Sequence, residues 1–96
     1  MTTHIVFWQL KEQAGGRTKE ENALLIKERI EALVGVVPGL IKATVGSNTN
    51  GGEYDLALVS YHDSMQALHD YDKHPAHEEV RAFVRNVVEK RAAVDF

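Results

Sequence analysis

The order of apolar patterns along the chain predicts an α+β fold of the ferredoxin-like type, β-α-β-β-α-β with a four-stranded antiparallel sheet. Three observations carry this. Four short runs rich in β-branched and aromatic residues alternate with helical patterns. Thr18 and Glu21 have the spacing of a capping box before the first helix. Pro75, after His74, suits the first position of another helix. With 96 residues, 44% hydrophobic and 26% charged, the chain reads as one domain over 1–96.

The first strand is His4 to Leu10, whose alternate sets His4, Val6, Trp8, Leu10 and Ile5, Phe7, Gln9 are both largely apolar. A polar loop, Lys11 to Arg17, leads to the Thr18 cap. From there Ala23, Ile26, Ile30 and Leu33 recur at spacings of three and four, which makes an amphipathic helix ending near Gly35. Pro38 and Gly39 turn the chain into a second strand, about Leu40 to Val45, with Ile41, Ala43 and Val45 on one face. Gly46 to Gly52 reads as a hairpin connection, not a phosphate loop, because no helix N-terminus follows it. Tyr54 to Tyr61 is the third strand, again apolar on both faces. Asp63 should start a short helix with Met65 and Leu68 inward. The chain re-caps at His74-Pro75, continues as a longer helix to about Val88, and closes with a strand from Arg91 to Phe96.

Right-handed crossovers place the first and third strands side by side at the centre of the sheet. These two are apolar on both faces, yet the helices can cover only one face, so a second copy of the chain is the economical cover for the other. A homodimer is therefore expected. Fourteen Asp and Glu against eleven Lys and Arg give a formal net charge of -3, which argues against a nucleic-acid partner. No apolar run approaches a membrane span and no signal-like N-terminus is seen, so a cytoplasmic protein without membrane contact is expected. The absence of cysteine excludes thiol nucleophiles and thiolate metal sites.

That leaves five histidines. On a wheel of 100° per residue with Ala76 at zero, His77 falls near 100°, between Val84 and Val88, while Glu78, Glu79, Arg85, Asn86 and Glu89 take the polar side. His77 thus points inward, either as a buried donor to a backbone carbonyl or as a functional group. His4 stands on the strand set of Val6 and Trp8, either at a frayed strand end or above a pocket. If His4 and His77 converge with the Tyr71 phenol, the trio can move protons to and from a carbonyl-containing ligand without a metal. His74, as a cap, points away from His77, which argues against a joint metal site. Trp8 and Phe7 read as core rather than as a cofactor platform.

Together, His4-Ile5-Val6, the Pro38-Gly39 turn, Gly46, Tyr54-Asp55-Leu56-Ala57-Leu58, the Tyr71 to His77 segment with His74-Pro75-Ala76-His77, and Val94-Asp95-Phe96 resemble the stress-responsive A/B barrel (Dabb) domain. The resemblance spans nearly the whole chain. It implies a ferredoxin-like fold that pairs as a homodimeric α/β barrel. A polyketide cyclase of that family closes a ring by aldol chemistry with a tyrosine and a histidine at positions matching Tyr71 and His77, and His4 matches a further pocket histidine. Leu56 stands where that cyclase has another pocket histidine, and Arg91 stands at an apolar pocket position, where a cation favours an acidic ligand or turns to solvent. No cofactor and no side-chain metal site are expected, which leaves a magnesium held by backbone carbonyls open. Some relatives hold magnesium by backbone carbonyls near the end of the first helix, here the Leu33 to Val37 turn.

The expected site is therefore His77, Tyr71 and His4 as acid-base residues. Val6, Trp8, Leu58 and Leu56 should line the pocket from the sheet, with Val84, Val88 and Arg91 completing it. The reading is a homodimeric Dabb protein with an apolar small-molecule pocket for lyase or cyclase chemistry. The alternatives are a non-catalytic ligand-binding or stress-associated dimer, and a cofactor-free monooxygenase-like barrel enzyme that would consume oxygen.

Overall fold

A computed structural model describes residues 1–96 and orders them as β1 (Thr2–Leu10), β2 (Gln13–Ala14), β3 (Arg17–Thr18), α1 (Lys19–Glu31), β4 (Leu40–Ser47), β5 (Leu56–His62), α2 (Met65–Lys73), α3 (Pro75–Val87) and β6 (Val88–Asp95). The main sheet runs β4-β5-β1-β6 with every neighbour antiparallel, so the first and third expected strands are the central ones. No helix is long and apolar enough to cross a membrane.

The capping box forms as expected. Thr18 Oγ1 accepts from the Glu21 backbone N–H at 3.2 Å and Glu21 Oε1 accepts from that of Thr18 at 3.0 Å. The polar loop before it holds a small ribbon, β2 and β3, which the sequence reading did not resolve. Its two-residue turn is Gly15-Gly16, both at positive φ. Asn22, fully buried on α1, ties this ribbon down by donating to the Ala14 carbonyl and accepting from Arg17 Nε.

Four expectations shift for physical reasons. Ile41 is 48% exposed rather than inward, because a bulge between Leu40 and Lys42 inserts one residue and leaves Leu40, Ala43 and Val45 as the buried set. The cap of α2 is Ser64, whose hydroxyl accepts from Ala67 N–H, and Met65, in the first turn, faces water. Strand β5 begins at Leu56, because Asp55 is occupied in bonding the Trp8 carbonyl and the Leu10 N–H. Strand β6 begins at Val88, directly after α3, since its ladder with β1 runs from Leu10 back to His4. The His74-Pro75 start is as expected, with His74 Nδ1 accepting from Ala76 N–H.

The core lies between the helices and one face of the sheet. Val6, Trp8 and Leu10 from β1 and Leu56 and Leu58 from β5 meet Ile26 and Ile30 of α1 and Val80, Val84 and Val87 of α3. The opposite sets stay partly open: Ile5 and Val59 are half-buried and Phe7 is 37% exposed. That far face is apolar and carries no helix.

Two turn glycines separate backbone strain from crowding. Gly39 has φ +83° and a Cβ there would lie 2.8 Å from Ala67 Cβ on α2, whereas Gly35 has φ +87° with open space around it. Gly35→Ala should cost about 1 kcal/mol, the left-handed penalty alone, and Gly39→Ala at least about 2 kcal/mol, because α2 must also move. Urea unfolding of both variants measures the difference, and equal losses would contradict the crowding.

Candidate active site

Alternation along β1 turns His4, Val6 and Trp8 towards the helices, and there they form one wall of a cavity of about 380 Å³. Ile30 of α1, Leu58 of β5 and Tyr71 of α2 also line it. From α3 come His77, Arg81, Val84 and Arg85, one stripe at spacings of three and four, and Val88 and Arg91 of β6 complete the opening. All of the expected site residues reach this cavity except Leu56. That residue is 2% exposed inside the filled core. Its cross-strand partner Trp8 reaches the cavity, while the Leu56 side chain is taken up by the core.

His4 is not at a frayed end. It is 7% exposed, and its Nδ1 contacts Asp95 Oδ1 of β6, its direct cross-strand partner. A charged or neutral imidazole donating from Nδ1 to that carboxylate leaves Nε2 towards the ligand side. Tyr71 is 1% exposed, and its ring lies 4.0 Å from the His77 ring at 34° and 6.5 Å from that of His4. Burial, then the Asp72 charge, raise the Tyr71 pKa above the ordinary phenol value, so this group stays protonated.

His77 behaves in the opposite sense. Desolvation first, then the Arg81 cation, pull its pKa down to about 4, and it is neutral at physiological pH. Arg81 Nη2 approaches His77 Nδ1 at 3.4 Å and donates to the Asp72 carbonyl at 2.7 Å and carboxylate at 3.2 Å.

The sequence reading missed His62, Asp95, Arg81 and Asp72. His62 is fully buried behind Tyr71, ring to ring 4.9 Å, with Nε2 on Ser60 Oγ at 2.9 Å and Nδ1 unpartnered. Its pKa is lowered by desolvation, then by His4. Extending the β5 alternation Leu56, Leu58, Ser60 by one step would have found it. Arg81 lies about 40° from His77 on the same wheel, and Arg85, placed on the polar side by that wheel, still reaches the cavity mouth through its long stem.

No cluster of three or more His, Asp or Glu side chains is arranged to hold a metal. In the Leu33 to Val37 turn, the Leu33 carbonyl already accepts from the Val36 and Val37 N–H groups and the Val37 carbonyl from Leu40 N–H. The carbonyls of Val34, Gly35 and Val36 accept none of the turn's backbone hydrogen bonds.

The Stress responsive A/B Barrel Domain (Dabb) family model matches residues 2–96. A dimeric protein of unknown function with a ferredoxin-like fold from Bacteroides fragilis is 31% identical with a TM-score of 0.82, covering 99% of this chain and 93% of that one. A hydroxynitrile lyase from Passiflora edulis is 17% identical with a TM-score of 0.83, covering 99% and 90%. A cofactor-independent oxygenase from Streptomyces nogalater is 10% identical with a TM-score of 0.77, covering 99% and 89%. The last two establish likeness of fold alone. No curated protein matches the sequence.

The buried imidazoles make stability depend on pH. Folded His77 and His62 bind protons more weakly than in the unfolded chain, so their contribution is complete above the unfolded value near 6.5 and is lost as pH falls through the folded value. Urea midpoints should fall between pH 6.5 and about 4, and His77→Asn should flatten that slope. An unchanged slope in the variant would contradict the depressed value.

Proposed function

Because the chain belongs to the stress-responsive A/B barrel domain family, we propose that it works as a homodimer in which each protomer makes or breaks a carbon–carbon bond beside a carbonyl group, chemistry of the lyase and cyclase type. The observation that carries this reading is the meeting of His4, Tyr71 and His77 on one cavity. The cavity volume is that of a small-molecule site.

Asp95 accepts from His4 Nδ1–H and so fixes the tautomer whose Nε2 holds a lone pair. That nitrogen takes a proton from a carbon α to a carbonyl, or from a hydroxyl β to one in the reverse direction. Tyr71, held as a phenol, donates to the carbonyl oxygen on which negative charge develops, and neutral His77 beside it is a second polar group facing that oxygen. In ring closure the carbanion forms a bond to a second carbonyl carbon, whose oxygen receives the proton. In cleavage the same bond breaks and the proton returns to carbon. No electron leaves the substrate. A hydroxynitrile lyase on the same fold supports a lyase-type reading.

The homodimer rests on the uncovered far face of β1 and β5, where Ile5, Phe7 and Val59 gather, and on the dimeric state of the Bacteroides fragilis relative. Burying such a face against its own copy is an isologous contact.

With β-keto and polyketide-like substrates, Tyr71→Phe, His77→Ala and His4→Ala should each lower turnover by about 10²-fold or more, the usual loss for a general acid or base. Asp95→Asn, acting through His4, should lower kcat with little change in KM. Turnover unaffected by all three direct changes would sink the acid-base assignment. Light scattering at micromolar concentration should give about twice the 10.7 kDa chain mass, and Phe7→Lys should give monomers. A wild-type monomer would refute the pairing.

A further inference from the structure

The cavity is two-sided in character. Its inner wall is built from Val6, Trp8, Leu58, Val84 and Val88, and its mouth carries the guanidinium groups of Arg81, Arg85 and Arg91 against the single carboxylate of Asp72. This concentration is opposite in sign to the chain, which has fourteen acidic residues, eleven Lys and Arg, and a net charge of -3. Arg81 is committed: it bonds both the carbonyl and the carboxylate of Asp72. Arg85 and Arg91 take part in none of the protein's six ion pairs. They come from different elements, the last turn of α3 and the middle of β6, and converge on one opening.

Two unpaired guanidiniums above an apolar floor make an amphipathic receptor. A planar fork of N–H donors suits a carboxylate, which it can grip through two parallel hydrogen bonds. The low-dielectric wall beneath strengthens that attraction compared with an open surface. We propose that the ligand is a small carboxylic acid anion, with its apolar body against Trp8, Val84 and Val88 and its carboxylate held at the mouth by Arg85 and Arg91. This rests on the reading of the cavity as the ligand site and adds the chemical class of what enters it. The acid-base groups His4 and Tyr71 line the same cavity, so a carboxylate anchored at the mouth would orient the rest of the molecule towards them.

Trp8 is the protein's single tryptophan and lines the cavity, so its fluorescence reports occupancy. Titration of the full chain with 4-phenylbutyrate and with its neutral amide, 4-phenylbutyramide, compares ligands of one shape. The acid should bind about tenfold tighter, the scale of one charge-assisted hydrogen-bonded contact. In the Arg85→Gln/Arg91→Gln double variant, both positions being exposed, the preference should fall to near unity while amide binding persists. Equal affinity for acid and amide, or a preference that survives the double change, would overturn the carboxylate assignment and leave the site reading standing. No Trp8 response to either compound would overturn both.

Discussion

The two-residue period of β1, fixed by its register between β5 and β6, is the constraint on which the rest of this structure depends. The helix-facing set His4, Val6, Trp8 and Leu10 supplies both the centre of the core and one wall of the cavity. A slip of one residue would send Ile5, Phe7 and Gln9 inward, remove the only tryptophan from the core, and turn His4 to the far face. Asp95 would then lose the imidazole opposite it. Packing and the candidate site are thus specified by the same hydrogen-bond ladder, and the apolar alternation that stabilises the sheet also fixes the register of the cavity wall.

Around that ladder, the interior holds several titratable groups. Tyr71 and His62 are fully buried and His77 largely so. Burial favours their neutral forms, which leaves a phenol that keeps its proton and imidazoles that do not gain one. Arg81 supports this from the rim: its charge opposes protonation of His77, while Asp72 satisfies it. His4 differs from the others because a carboxylate is placed against it. Two environments therefore exist within one cavity, one apolar around Tyr71 and His77 and one carrying a carboxylate beside His4.

Most of the fold was legible because its signals are local. The capping box at Thr18, the His74-Pro75 start and the alternation of β1 each follow from a few neighbouring residues. The departures come from events that periodicity does not encode. A bulge at Ile41 is one extra residue, invisible to an alternation count until the partner strand is known. The inward position of His77 followed from the helix period and the face of His4 from the strand alternation, whereas Tyr71 entered through the resemblance. Asp95 and Arg81 followed from neither, because each is defined by a partner on another element: His4 across the ladder and Asp72 at the end of α2. The Leu56 expectation carried over a position from a resemblance, and that side chain lies in the core rather than in the cavity lining here.

Strand β6 joins these two halves of the structure. It is an edge strand, exposed along most of its length, and its end is tied to β1 by paired backbone bonds between Thr3 and Phe96. Val94 pairs with Ile5 and Asp95 with His4, so adjacent residues of one strand face opposite sides of the sheet. Val94, 56% exposed, belongs with the apolar far face, while Asp95 belongs with the site. In the proposed homodimer, burial of Val94 and Ile5 against the second copy would restrain the strand that holds Asp95. Edge strands are the parts of a sheet most prone to fray, and fraying here would release His4 from its carboxylate. In that homodimer, covering the far face would steady the contact between Asp95 and His4 on the near one without lending a residue to it.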